Sequence, residues 1–152
     1  MAETKILVPL DGSELAERAL SEAFTLGKAL NAEVILLQVV PVADDVIRQG
    51  ANAIWIDEQW QARKDRALQY LTGIRNRPEW KGVATRIAVE MGNPAETILD
   101  FCQQQGVDRI VMATHGRTGM SRWVLGSVAE KVLRAADRTV VLIRAGIKNA
   151  GV

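Results

Sequence analysis

One cysteine, one histidine and one tyrosine among 152 residues leave this chain few of the side chains that carry catalysis or bind metals. A lone Cys102 excludes an internal disulfide and any cysteine-rich zinc site, and it fits a cytosolic compartment best. His115 has no second histidine with which to share a metal, and nothing around it implies a Ser-His-Asp arrangement. A loop-positioning role is expected for it. Charge of one sign is missing too: 19 Lys and Arg face 18 Asp and Glu, which removes the electrostatic basis for a nucleic-acid partner. No apolar run approaches the ~20 residues of a membrane span. The first residues, Met1-Ala2-Glu3-Thr4-Lys5, carry no secretory pattern. The expectation is a soluble, cytoplasmic protein with neither nucleic acid nor membrane as partner.

What is present is a regular alternation. With 48% apolar residues the chain can bury a sizeable core, and its length suits one domain, expected over residues 1–144 with a flexible tail at 145–152. Strand-like runs fall at residues 5–9, 33–40, 84–89, 108–113 and 139–143. Several, such as Val34-Ile35-Leu36-Leu37, are apolar on both faces, as strands of a parallel sheet covered on each side must be. Between them lie helical spacings: Leu15 to Leu30, Trp60 to Ile74, a segment opened by Asn93-Pro94-Ala95-Glu96 and closed by Gly106, and residues 128–136. The order predicts an α/β fold, an open, doubly wound, five-stranded parallel sheet. One connection is oversized. About fifty residues separate the starts of strands two and three, against roughly thirty for a plain βαβ unit. The excess, residues 41–56, reads equally as a lid over the sheet edge or as a surface loop anchored by Trp55 and Trp60.

The chemistry concentrates after strand four. Ala113-Thr114-His115-Gly116, nine further residues, then Gly126-Ser127-Val128 form a glycine-edged loop running from a buried strand into a helix. Glycines let backbone approach an anion, and the first N–H groups of a helix have no partners within it. Ser127 is expected to cap that helix. Arg117 and Arg122 are available to neutralise phosphate, although an exposed arginine is commonly just solvated. Asp11, after strand one, has two readings: a carboxylate accepting from ribose or adenine, or part of a capping box in Asp11-Gly12-Ser13-Glu14. Cys102 falls on a helix face with Ile98 and Leu99 and reads as a buried small hydrophobe.

These segments together resemble the universal stress protein family. The loop matches that family's Gly-2x-Gly-9x-Gly-Ser/Thr pattern, with Ala113 in place of its first glycine. Val8-Pro9-Leu10-Asp11-Gly12-Ser13 is similar to the family's opening strand and aspartate turn. Gly92-Asn93-Pro94-Ala95-Glu96-Thr97-Ile98 is similar to the start of its third helix, and Gly126 through Arg134 to that of its fourth. The resemblance implies the strand order 3-2-1-4-5 and ATP bound at the sheet's C-terminal edge, with Mg²⁺ or Mn²⁺ accompanying the triphosphate. It implies contacts from Pro9, Leu10 and Asp11, an adenine pocket at Val39 or Val40, and sugar and phosphate contacts from Met112, Ala113, His115, Gly116 and Arg117. Gly126, Ser127 and Val128 would hold the phosphates. A homodimer through the last strand, Thr139–Ile143, is implied as well. Thr139 stands where the family often has proline.

Three functions follow. The first is an ATP-binding, stress-associated regulatory homodimer with slow hydrolysis at most, since no residue reads as a dedicated general base and the P-loop lysine is missing. The second keeps the fold as an interaction module without nucleotide. The third, an enzyme on a similar sheet, lacks the GxGxxG that a dehydrogenase carries after strand one.

Overall fold

The computed structural model describes residues 3–42, 53–115 and 124–144, with residues 53–55 as backbone only. Five parallel strands build one sheet: β1 (Lys5–Leu10), β2 (Glu33–Val40), β3 (Thr85–Met91), β4 (Arg109–Ala113) and β5 (Thr139–Ile143). Their order is β3-β2-β1-β4-β5, as the family resemblance implies. The connecting helices are α1 (Glu14–Glu17), α2 (Leu20–Leu30), α3 (Ala53–Arg75), α4 (Pro94–Gln105) and α5 (Ser127–Ala135).

Alternation along each strand sorts side chains into two cores. Ile6, Val8 and Leu10 of β1, with Val34 and Leu36 of β2, meet Leu20, Ala23 and Phe24 of α2 and Leu71 and Ile74 of α3. Leu7, Ile35, Leu37, Ile110 and Met112 point the other way, onto Ile98, Phe101 and Cys102 of α4 and Val132 of α5. Burying a side chain of this size is worth about 1.5–3 kcal/mol, so the central strands β1 and β2 anchor the fold. Phe24 and Trp80 stack with centroids 4.1 Å apart, closing the first core beside β3.

The first helical run is not continuous. Arg18 and Ala19 donate to Leu15 and Ala16, three residues back, and this tightened turn divides α1 from α2. Asn31, in the left-handed conformation, ends α2, and Gly106 (φ 65°) ends α4 as its sequence position predicts. α3 begins at Ala53, so the last residues of the expected lid are helical, while residues 43–52 lie outside those described. The expected tail, 145–152, lies outside them too.

The chain runs outward from β1 to β3, then returns across β1 to β4. That reversal puts the topological switch point between β1 and β4. The ladder is short there: β1 and β4 pair at Ile6↔Arg109 and Leu7↔Ile110, whereas β1 follows β2 from Lys5 through Leu10. Beyond Ile110, β4 stays with β5 as far as Ala113↔Ile143. The sheet therefore splits at its C-terminal edge.

Candidate functional site

A cleft of about 910 Å³ opens at that split. Its floor is the ends of three strands: Pro9 and Leu10 of β1, Leu37 through Val40 of β2, and Met112 and Ala113 of β4. Asp11 stands just past β1, and Gly126, Ser127 and Val128 enter from the other side of the split. Of the residues expected at the site, the cleft gathers Pro9, Leu10, Asp11, Val39, Val40, Met112, Ala113, His115, Gly126, Ser127 and Val128. Gly116 and Arg117 lie outside the described residues, as does Arg122.

Local chemistry places each of them. Asp11 is not the helix cap: Ser13 is, its hydroxyl accepting from the Ala16 N–H at 3.2 Å. The Asp11 Oδ1 instead accepts from the Ser13 N–H at 2.9 Å and from the Ser13 hydroxyl at 2.5 Å. The capping box is thus replaced by an Asx turn feeding a serine cap, which fixes the carboxylate at the cleft edge.

Ser127 is likewise not the cap of α5 but its first helical residue; Gly126 holds the cap position, with no side chain to bond. The reason is steric. A Cβ at Gly126 would lie 2.9 Å from the Thr114 carbonyl oxygen and 3.4 Å from the His115 Cα. The Gly126 N–H donates to that same carbonyl at 2.8 Å. Backbone packs on backbone here, and the cap residue must be the one without a side chain.

His115 locks the same junction. It is buried, and its Nε2–H donates to the Val124 carbonyl. Since a carbonyl only accepts, Nδ1 is the ring's acceptor and takes the Thr114 hydroxyl proton at 3.0 Å. His115 and Gly126 pin the two ends of the 116–123 segment together.

The cleft also has a wall that its sequence motifs do not announce. Arg63, Arg66, Ala67 and Tyr70 of α3 line it, together with Gln38 of β2 and Thr114. Arg63 donates to the Pro41 carbonyl at 3.4 Å, tying α3 to the end of β2. The Tyr70 hydroxyl donates to Glu17 at 2.9 Å, and Glu17 pairs with Arg77 at 2.6 Å. Burial, reinforced by that carboxylate, pushes the Tyr70 hydroxyl well above the ordinary tyrosine range, so it stays a donor. The helical spacing of Arg63, Arg66 and Tyr70 is visible in sequence, but the face they present is set by packing, far along the chain from the glycine-edged loop. Gln38 carried a signal that was overlooked, a single amide inside an apolar strand.

Among the described residues, two positively charged side chains, one carboxylate and a helix N-terminus therefore surround a largely apolar floor. Such a cleft suits an anionic ligand with a flat, weakly polar body. Among the described residues no group of three His, Cys, Asp or Glu side chains is placed to hold a metal ion, and no helix is long and apolar enough to cross a membrane.

The fold and cleft define an α/β protein of the doubly wound class with a cleft at the switch point. The chain belongs to the Universal stress protein family, whose model matches residues 3–144. Universal stress protein MJ0531 of Methanocaldococcus jannaschii is 32% identical over 140 residues, covering 92% of this chain and 81% of that protein. YxiE of Bacillus subtilis is 30% identical over 145 residues, covering 92% and 98%. The solved structure of protein MJ0577 superposes with a TM-score of 0.82 at 29% identity, over 99% of this chain and all of that one. More distant relatives share the fold: a universal stress protein from Archaeoglobus fulgidus solved with dAMP (TM-score 0.64, 23% identity) and an Arabidopsis thaliana family protein solved with AMP (TM-score 0.59, 19% identity).

Proposed function

We propose that this cleft binds ATP and that the protein is a cytoplasmic, stress-associated regulatory homodimer. The observation that carries the reading is the convergence of Asp11, Val39, Met112 and Ala113 with the Gly126-Ser127-Val128 helix start on one cleft at the switch point. The strand order matches the order of groups in the nucleotide. The base lies over β2 at Val39 and Val40, the sugar at Asp11 beside β1, and the phosphates across β4 at the start of α5. There the N–H groups of Ser127 and Val128 have no intrahelical partners. A volume of about 910 Å³ lies in the range of small-molecule sites.

Gly116 and Arg117, outside the described residues, are proposed as further phosphate contacts, Arg117 as a charge partner. Mg²⁺ or Mn²⁺ would accompany the triphosphate on its own phosphate oxygens and water, since Asp11, the one carboxylate among the described cleft residues, lies at the sugar. Such an ion would offset phosphate charge; Pro9, Leu10 and the β2 valines hold the base, and His115 ties the end of β4 to Val124. Hydrolysis is slow at most, as Asp11 lies at the sugar rather than beside an attacking water. The related proteins solved with AMP and dAMP support an adenine nucleotide and make AMP a natural competitor. β5 is an edge strand, partly exposed and paired on one side by β4, and Thr139–Ile143 supplies the dimer contact.

Isothermal titration with ATP and Mg²⁺, repeated with AMP, tests the site, and sedimentation tests the dimer. Saturable binding with one nucleotide per chain is expected. Neither heat nor thermal protection at millimolar nucleotide refutes the reading and favours an interaction module of the same fold.

A further inference from the structure

β2 reads Glu-Val-Ile-Leu-Leu-Gln-Val-Val, and its one central amide, Gln38, is out of character for a strand covered on both faces. In register, Gln38 stands between Leu10 of β1 and Val89 of β3, neither of which has a side chain that can donate to it. The Gln38 Oε1 is buried and accepts no hydrogen bond among the described residues. The Tyr70 hydroxyl on the same wall of the cleft is already committed to Glu17. Natural structures leave few buried acceptors without a donor, and a lasting exception calls for a donor from outside the chain.

The position of Gln38 says what that donor is. Gln38 lines the cleft, and its lateral neighbour Leu10 immediately precedes Asp11. It therefore lies one strand spacing, ~4.8 Å, from the strand that carries the sugar-side carboxylate. It lies on the side of β1 away from β4 and the helix start. Given the nucleotide orientation proposed above, on which this inference rests, that is the end occupied by the base. Adenine carries an amino group at position 6 beside ring-nitrogen acceptors. A glutamine amide complements that edge, its oxygen accepting the amino proton and its nitrogen donating to the ring, the pairing by which Gln and Asn read adenine in nucleic acids. Guanine turns a carbonyl oxygen toward the same place.

We propose that Gln38 is a specificity-determining residue that reads the 6-amino group of adenine, so that the cleft selects adenine nucleotides by a side chain as well as by shape.

The test compares ATP with purine riboside triphosphate, which lacks only the 6-amino group, by titration against the wild type, Gln38→Leu and Gln38→Met. Both replacements are close to glutamine in volume and apolar like their neighbours Leu10 and Val89, and thermal unfolding confirms that each is folded. The wild type is expected to favour ATP about tenfold, the effect of one hydrogen bond, and both variants to bind the two nucleotides within about threefold of each other. A wild type that does not distinguish them overturns the inference, as does a preference that survives both substitutions. A Gln38 that merely holds a buried water shifts the melting temperature and leaves the nucleotide ratio alone, which also overturns it. In each of these outcomes ATP still binds and the nucleotide site stands. Failure of the wild type to bind either triphosphate overturns the site itself.

Discussion

Replacing Gly126 with alanine sets two effects of opposite sign against each other. The backbone of Gly126 (φ −60°, ψ 151°) is one that alanine adopts freely. Judged by the unfolded chain alone, Gly126→Ala would stabilise by about 0.4–1 kcal/mol. Against this, the new methyl would lie 2.9 Å from the Thr114 carbonyl oxygen and 3.4 Å from the His115 Cα, both backbone atoms held by the end of β4. Neither can swing aside as a long side chain would. Relief requires the start of α5 to move outward, stretching the 2.8 Å hydrogen bond from the Gly126 N–H to Thr114. Overpacking of this kind costs about 1–3 kcal/mol and a weakened buried hydrogen bond about 1 kcal/mol. The net expectation is a loss of about 1–3 kcal/mol, a fall in melting temperature of roughly 2–12 °C for a domain of this size. Urea unfolding followed by circular dichroism measures it. A variant as stable as the wild type, or more so, would refute the claim that this glycine is required by backbone contact. The same geometry bears on function: because Gly126 packs against the chain itself, Gly126→Val disturbs the fold whether or not nucleotide binds. It is therefore a poor probe of the site.

Ser127 is a better one. It is exposed at the first position of α5, so Ser127→Asp should add about 0.3–1 kcal/mol of stability through the helix dipole. The same charge should weaken ATP roughly tenfold or more by repelling phosphate; unchanged affinity in titration would place the phosphates elsewhere. Arg138→Ala should cost about 2–3 kcal/mol in urea unfolding, since its guanidinium donates to the Cys102 and Val107 carbonyls at 3.1 and 2.5 Å. Burial pushes the Cys102 thiol from 9.0 up to about 11. Because the unfolded thiol ionises first, the contribution of Cys102 is complete below about pH 8.5 and fades as the pH rises toward 11. Cys102→Ala should flatten that slope in pH-dependent unfolding, and an unchanged slope would show that another group causes it.

The sheet was legible because its cause is local. Unbroken apolar runs such as Val34 to Leu37 fit a strand covered on both faces, and Gly106 marks a helix end through its own conformational freedom. Capping was legible only in kind. Ser, Asp and Gly clusters announce a helix start, but which residue caps depends on what the turn packs against. At Ser13 the competing carboxylate of Asp11 decided it, and at Gly126 the Thr114 carbonyl did. The break between α1 and α2 lies in an unbroken helical pattern, where the sequence carries no punctuation.

The sequence alone determined the order of strands and helices, the family, and the two segments, Asp11 and the loop ending at Gly126, that carry the candidate site. These rest on periodicity and short motifs, which depend on neighbours a few residues apart. The tertiary structure alone decided that β1 and β4 part after Leu7 and Ile110, that α3 brings Arg63, Arg66 and Tyr70 to the opening, and that Gln38 has no donor there among the described residues. Those facts concern groups brought together from distant parts of the chain. Only packing fixes which of them meet, and with a single histidine, cysteine and tyrosine in the chain no motif announces such meetings.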